Sequence, residues 1–201
     1  MTKVEAGFTW DFTSRFEAGV GPWIKELAGI PDMTFVEIGC FEGRTSVWLL
    51  EHILTAPGCW LICIDPFEKV EWLPGTTQVS FPKFLANIAP YRDQVAVAKA
   101  PSWDALRTLR YTIDGTQIVG EVDFVYVDGD HRRQAVLEDA VLAWRWLRKG
   151  GILAFDDYEW ADGPTDPADL PRQGVDAFLT CYANELMVLH RGYEIVVRKC
   201  V

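Results

Sequence analysis

The sequence predicts an α/β fold, a mostly parallel sheet covered by helices on both faces. Three observations point there. Short apolar runs alternate with helically spaced segments almost to the end of the chain. The runs are nearly continuous in Val, Ile, Leu and Phe, as strands buried on both faces require. They end repeatedly on Gly or Asp, which collects turns and carboxylates along one rim, where open α/β sheets bind their ligands.

In order, Phe8 to Ile30 carries aromatic and apolar residues at helical spacing, broken at Gly21-Pro22, and reads as one or two helices packed before the core. Thr34–Ile38 is a strand ending at Gly39. The helical segment Arg44 to Leu54 is stopped by Pro57-Gly58. Trp60–Ile64 is a strand ending at Asp65-Pro66, and Phe81–Ile88 is helical. Val95–Ala98 is a strand, followed by a helix from Ser102 to Arg110 with Ser102 as its N-cap. Val122–Val127 leads as a strand into Asp128-Gly129-Asp130-His131. Arg132 to Arg148 is an amphipathic helix closed by Gly150-Gly151. Ile152–Phe155 is a strand ending at Asp156-Asp157. A helix, Val175 to Asn184, precedes the strands Leu186–Leu189 and Tyr193–Val197, joined by Arg191-Gly192.

A chain of 201 residues without a linker or repeat suits one domain, 1–201, in which 1–33 is a helical segment on the core. Acidic residues number 29 against 19 basic, for a net charge of -10. Such a field repels phosphates, so neither nucleic acid nor an anionic membrane is expected as a partner. The N-terminus lacks the basic and apolar regions of a signal peptide. The longest uncharged stretch, His52 to Ile64, is too short to span a bilayer. Five scattered cysteines with no Cys-x-x-Cys pair read as reduced thiols in a cytoplasmic protein.

The first turn reads Glu37-Ile38-Gly39-Cys40-Phe41-Glu42-Gly43, entering the next helix through Arg44-Thr45-Ser46. Its glycines permit positive φ and close approach of a ligand to backbone. Asp65 follows at the end of the second strand, where nucleotide-binding folds place a ribose-binding acid. Glu42 would repel a pyrophosphate, and no Gly-Lys-Ser/Thr exists for Walker-type binding. A cationic, phosphate-free nucleoside tolerates these acids, and S-adenosylmethionine is such a ligand.

The run Val36 to Ser46 resembles motif I of class I S-adenosylmethionine-dependent methyltransferases. Val125 to Tyr158 is similar to small-molecule O-methyltransferases that include macrocin-type sugar O-methyltransferases, with the Asp-Gly-Asp-His turn, long helix, Gly-Gly and Asp-Asp-Tyr strand end in the same order. The resemblance implies a Rossmann-like, doubly wound sheet of seven strands, the last antiparallel. It implies S-adenosylmethionine as cofactor, with Glu37, Gly39 and Gly43 bordering the methionine part and Cys40, Phe41, Thr45 and Ser46 also among the cofactor-binding residues. It places Asp65 at the ribose, Ser102 and Trp103 at the adenine, and Asp128 beside the cofactor.

Asp128, Asp156 and Asp157 end two strands that are neighbours in this layout. Carboxylates so close cannot all ionise without a positive charge between them. A hard divalent cation fits an all-oxygen set, Mg²⁺ better than Zn²⁺. The resembling families place a metal on matching residues. Catechol-type enzymes have Asn where Asp157 stands, and the macrocin-like pattern has Asp-Asp. Two residues qualify as the base that deprotonates an acceptor hydroxyl, Asp130 and His131. Macrocin-like members suggest the aspartate, and catechol-type members carry a lysine at the place of His131. The loops Phe67 to Ser80 and Glu159 to Gly174 are expected to cover the site, with Phe67, Trp72 and Phe81 as an apolar wall.

The expected activity is therefore metal-assisted O-methylation of a small hydroxylated substrate, a sugar moiety of a natural product or a polyphenol. A nicotinamide-dependent oxidoreductase on a related fold and a non-catalytic S-adenosylmethionine-binding module are the alternatives. The sequence leaves the oligomeric state open, a homo-oligomer included.

Overall fold

In a computed structural model, residues 7–11, 13–68, 80–107, 111–113, 116–118, 121–161, 166 and 170–201 are described. Trp72 and most of the two expected covering loops lie outside them. The strands are β1 (Thr34–Ile38), β2 (Trp60–Ile64), β3 (Val95–Ala98), β4 (Tyr111–Ile113), β5 (Thr116–Ile118), β6 (Val122–Val127), β7 (Leu147–Phe155), β8 (Leu186–Arg191) and β9 (Ile195–Lys199). The helices are α1 (Thr13–Gly19), α2 (Gly21–Ile24), α3 (Arg44–His52), α4 (Phe81–Ile88), α5 (Ser102–Arg107), α6 (Arg133–Trp146) and α7 (Arg172–Cys181).

Seven strands form one sheet in the order β3-β2-β1-β6-β7-β9-β8. All neighbours pair in parallel except β9, which runs antiparallel to both β7 and β8. This is the doubly wound, Rossmann-like arrangement the sequence predicts. Alternating strand residues feed two cores. Phe35, Leu61, Cys63, Phe124, Tyr126 and Ala154 meet α1, α3 and α4 on one face. Val36, Ile38, Ile62, Val125, Leu153 and Phe155 meet α5, α6 and α7 on the other. Phe16 of α1 packs edge-on against Tyr126, 4.8 Å between ring centroids, which binds the N-terminal helix to the sheet centre.

Strand order reverses between β1 and β6, and the crevice beyond their carboxyl ends is the expected ligand site. Asp123 of β6 pins the opposite end of this seam. It accepts from the Thr34 backbone N–H at 2.8 Å and from Arg148 Nε at 2.5 Å.

Four local expectations are corrected. Gly150-Gly151 does not close α6; the helix ends at Trp146 and both glycines lie inside β7. Leu147 already pairs with Val122, and a bulge before Ile152 pairs with Phe124 absorbs the extra residues. Lys199 Nζ supplies the helix stop, donating to the carbonyls of Trp144 and Leu147 at 2.8 and 2.7 Å. The final strand begins at Ile195, so Tyr193 and Glu194 belong to a turn closed by Gly192 N–H to Glu194 O. Ser102 is the first residue of α5 rather than its cap. Phe67 is not a lid residue: it is buried against Phe81 and Phe84. The β4–β5 hairpin forms a separate two-stranded sheet that the sequence reading missed.

Candidate functional site

Gly39 and Asp128 leave adjacent strands at the point where strand order reverses, and their backbones touch. A Cβ at Gly39 would lie 1.9 Å from the Asp128 carbonyl oxygen. The glycine turn is organised from below by Asp65. Its Oδ2 accepts from the backbone N–H groups of Cys40 and Phe41 at 2.8 and 2.9 Å, and its Oδ1 from Phe67 N–H at 2.5 Å. Three of its roughly four acceptor positions are thereby used within the protein. Burial raises its pKa against these hydrogen bonds. Phe41 adopts φ 46 in this turn, a left-handed conformation with a strain cost for a non-glycine residue.

Glu37, Cys40 and Ser46 sit beneath the turn. Glu37 is 1% exposed, its Oε2 accepts from Ser46 Oγ at 2.5 Å, and burial pushes its carboxyl up to about 8. The Cys40 thiol bonds to the Glu37 and Ile64 carbonyls, its N–H to Asp65, and its carbonyl accepts from Gly43 N–H, so Cys40 serves to build the turn. Thr45 is half-buried in the first turn of α3. From above, Glu42 ties the segment 7–11 to the turn. Its carboxylate accepts from Thr9 N–H and Oγ1 at 2.6 and 2.7 Å, and Lys83 Nζ lies 3.1 Å away.

Of the two residues expected at the adenine, Trp103 is 45% exposed and therefore no core residue. Ser102 donates instead to Asp139 of α6, a contact the sequence reading missed. Asp139 is 1% exposed, keeps Oδ2 without a partner, and burial pushes its carboxyl up to about 7. A buried acid whose pKa is raised binds its proton more readily folded than unfolded. Its stabilising contribution is full below about pH 4 and lost as pH rises toward about 7. Asp139→Asn is therefore expected to flatten the fall in Tm between about pH 5 and pH 7.5. An unchanged slope in thermal melts would refute this.

At the rim, Asp128, His131 and Asp157 each place a donor atom within 4.8 Å of the others. Asp157, at φ 56, is the hub: His131 Nε2 lies 2.5 Å from its Oδ2, and Tyr193 Oη donates to its Oδ1 at 2.6 Å. Burial alone would raise Asp157, but His131 and Tyr193 outweigh it and hold its pKa below the usual range. Burial would lower His131, yet the Asp157 contact dominates and raises it. Asp128 is driven well up by burial and by the charges of Asp156 and Asp157. Asp156 is pushed to about 6 by burial and Asp157, and its buried Oδ1 has no partner. At this rim, among the described residues, the donor atoms spaced to hold a divalent cation are those of Asp128, His131 and Asp157, with His131 where Asp156 was expected.

The two base candidates are set apart. Asp130 is clamped by the Arg132 backbone and side chain, which overcome its burial and lower its pKa. His131 faces the carboxylates and carries Trp160 edge-on, 4.9 Å between centroids. Trp160, Tyr193 and Arg15, whose guanidinium lies 4.2 Å from the Tyr193 ring centroid, were missed in the sequence because they reach the rim from three separate segments. Two surface clefts, of about 570 and 410 Å³, touch none of these groups.

Three solved structures resemble this chain at 15–19% identity, which speaks for the fold. An O-methyltransferase from Bacillus cereus in complex with SAH aligns at a TM-score of 0.63, over 90% of this chain and 80% of that one, at 19% identity. The O-methyltransferase TomG from Streptomyces achromogenes, involved in tomaymycin synthesis and bound to SAM, aligns at 0.63 over the same shares and 18% identity. The mycinamycin-pathway methyltransferase MycE, with Mg, SAH and mycinamycin VI, aligns at 0.61 over 96% of this chain and 50% of that one, at 15% identity. An uncharacterized protein of Acanthamoeba polyphaga mimivirus is 30% identical over 131 residues, 64% of this chain and 52% of that protein. The chain thus spans about half the length of that relative. A family described as a methyltransferase domain matches residues 36–158, from the glycine turn through the acidic strand ends. With more than half of its length matched there, the chain belongs to the methyltransferase-domain family.

Proposed function

We propose that the chain transfers the methyl group of S-adenosylmethionine to a hydroxyl of a small polar acceptor, with a divalent cation, Mg²⁺ by preference, held by Asp128, Asp156 and Asp157. The observation that carries this reading is the meeting of the glycine turn with the Asp128–His131–Asp157 cluster at one crevice. The methyltransferase family match and the neighbours crystallised with SAH or SAM support the cofactor. MycE, crystallised with Mg, SAH and mycinamycin VI, supports the metal and a natural-product acceptor, and the acceptor classes proposed are a sugar moiety of a natural product or a polyphenol.

Backbone of the turn at Gly39 and Gly43 lets the methionine part approach closely, and Glu37 beneath it, raised to about 8 by burial, gains its charge as the ammonium group approaches. Asp65 retains one acceptor position, enough for a single ribose hydroxyl without undoing the turn. Ser102 and the exposed Trp103 border the adenine. A bound cation supplies charge that orients acceptor oxygens and lowers the hydroxyl pKa. His131 is the base: with Nε2 held by Asp157, the other ring nitrogen takes the hydroxyl proton, and Asp157 stabilises the imidazolium that results. The acceptor oxygen then attacks the sulfonium methyl in line, the carbon–sulfur bond breaks, and S-adenosylhomocysteine leaves with its electron pair. Asp130, held by Arg132, positions the turn entering α6.

Calorimetric titration of S-adenosylmethionine into the purified protein, with Mg²⁺ and then with excess chelator, tests this directly. Micromolar affinity in both conditions is expected, followed by methylation of hydroxylated acceptors only with metal. Stabilisation by NAD(H) alone would establish the oxidoreductase reading. Binding of S-adenosylmethionine without turnover of any acceptor would leave the binding-module reading.

A further inference from the structure

Beside the cluster stands Arg15, a cation that makes no ion pair among the described residues. Arg44, Arg132, Arg148 and Arg198 each grip a carboxylate. Among the described residues, Arg15 grips none. It stands exposed on α1, its guanidinium over the Tyr193 ring while the hydroxyl of that ring donates to Asp157. Its charge is felt at Asp157, Tyr193 and Glu194, so it stands close to the cluster. Trp160, His131, Asp157, Tyr193 and Arg15 thus form one continuous arc by ring contact and hydrogen bond, with the cation at its end.

We propose that Arg15 is a specificity-determining residue that selects acceptors carrying a carboxylate on the side of the ring or sugar opposite the methylated hydroxyl. This rests on the methyl-transfer reading above. A planar guanidinium stacked on an aromatic face keeps its N–H edge free and matches a carboxylate in bidentate fashion. A carboxylate is favoured over a phosphate because the surrounding Asp128, Asp156, Asp157 and Glu194 repel a dianion more strongly than a monoanion. An acceptor of this shape would lay its hydroxyl at His131 and its carboxylate at Arg15, spanning the arc. A competing role, simple neutralisation of Asp157 and Glu194, predicts no preference among acceptors.

The test uses protocatechuate, a catechol with a ring carboxylate, and its methyl ester, which removes the charge and makes the hydroxyl more acidic, an effect the Arg15→Gln comparison controls for. With Mg²⁺ and S-adenosylmethionine, kcat/KM for the acid is expected to exceed that for the ester by about tenfold. Arg15→Gln should bring that ratio near one by raising KM for the acid, and Arg15→Lys should restore part of it. A wild-type ratio of one or less overturns the proposal, as does a ratio that Arg15→Gln leaves unmoved. Calorimetric binding of both compounds to the SAH-loaded protein is read in parallel. Arg15-dependent preference for the acid without turnover of either compound supports the selection and overturns methyl transfer alone. Equal binding of acid and ester overturns the selection.

Discussion

Asp157→Ala is expected to lower methyl transfer on the order of 10²–10³-fold, with S-adenosylmethionine affinity nearly unchanged. The size follows from the number of jobs that converge on this carboxylate. One oxygen meets His131 Nε2 and the other accepts from Tyr193. On the proposed reading the substitution removes a cation ligand, the stabiliser of the His131 imidazolium and the anchor of Tyr193 together. It also places alanine at φ 56, so the strand end itself gains strain. Asp156→Ala separates these contributions. It deletes the acid with the orphaned Oδ1 but leaves the His131 contact in place, and its loss should follow metal affinity alone. Single-turnover rates across a Mg²⁺ series, beside calorimetry of the cofactor, distinguish the two. Wild-type activity undiminished in excess chelator, or an Asp157→Ala rate within about threefold of wild type, would remove the carboxylates from the chemistry.

The second large effect is conformational. Gly39→Ala should destabilise the fold by about 3–5 kcal/mol and abolish cofactor binding. Gly39 holds φ +84, and an added Cβ falls 1.9 Å from the Asp128 carbonyl oxygen and 2.7 Å from Gly129 Cα. Those are backbone atoms of the neighbouring strand end, so no side chain can swing aside. Relief requires β1 and β6 to part where the cofactor would sit. Gly29→Ala is the matched control, at φ +72 with nothing nearer than Thr55 Oγ1 at 3.8 Å, and should cost about 1 kcal/mol from backbone strain alone. Equal losses in Tm for the two variants would show that close packing at the crevice does not matter.

Much of this architecture is visible in the chain because it is written in local pattern. Five apolar runs ending on Gly39, Asp65, Ala98, Asp128 and Asp156 are the parallel strands, and the rim where the acids gather is the rim the structure builds. The acidic turn residues could be found because chemistry-bearing groups stand beside strand ends in sequence. What pattern could not show is contact between distant segments. The end of α6 depends on Lys199, more than fifty residues away, so the Gly-Gly pair drew the helix boundary too late. Tyr193 was placed inside a strand, whereas it turns to meet Asp157. Phe67 carries the composition of a lid, yet three phenylalanines close enough to stack form a better-packed core than a mobile flap. Asp65 looks like a ligand residue by position, and the structure adds that it first folds the turn.

The sheet order also dictates a schedule of assembly. β1, β2 and β3 are neighbours both in the chain and in the sheet and can come together early. The other edge of β1 waits for β6, and Thr34 finds its anchor Asp123 only after 89 intervening steps along the chain. Until then a flat, apolar edge bearing Phe35, Val36 and Ile38 stands unpaired at what becomes the centre of the molecule. Such an edge invites pairing with other nascent copies. Slow synthesis or high concentration before β6 emerges is when this protein is most exposed to aggregation, and Asp123, far from the chemistry, is the residue whose arrival closes that window.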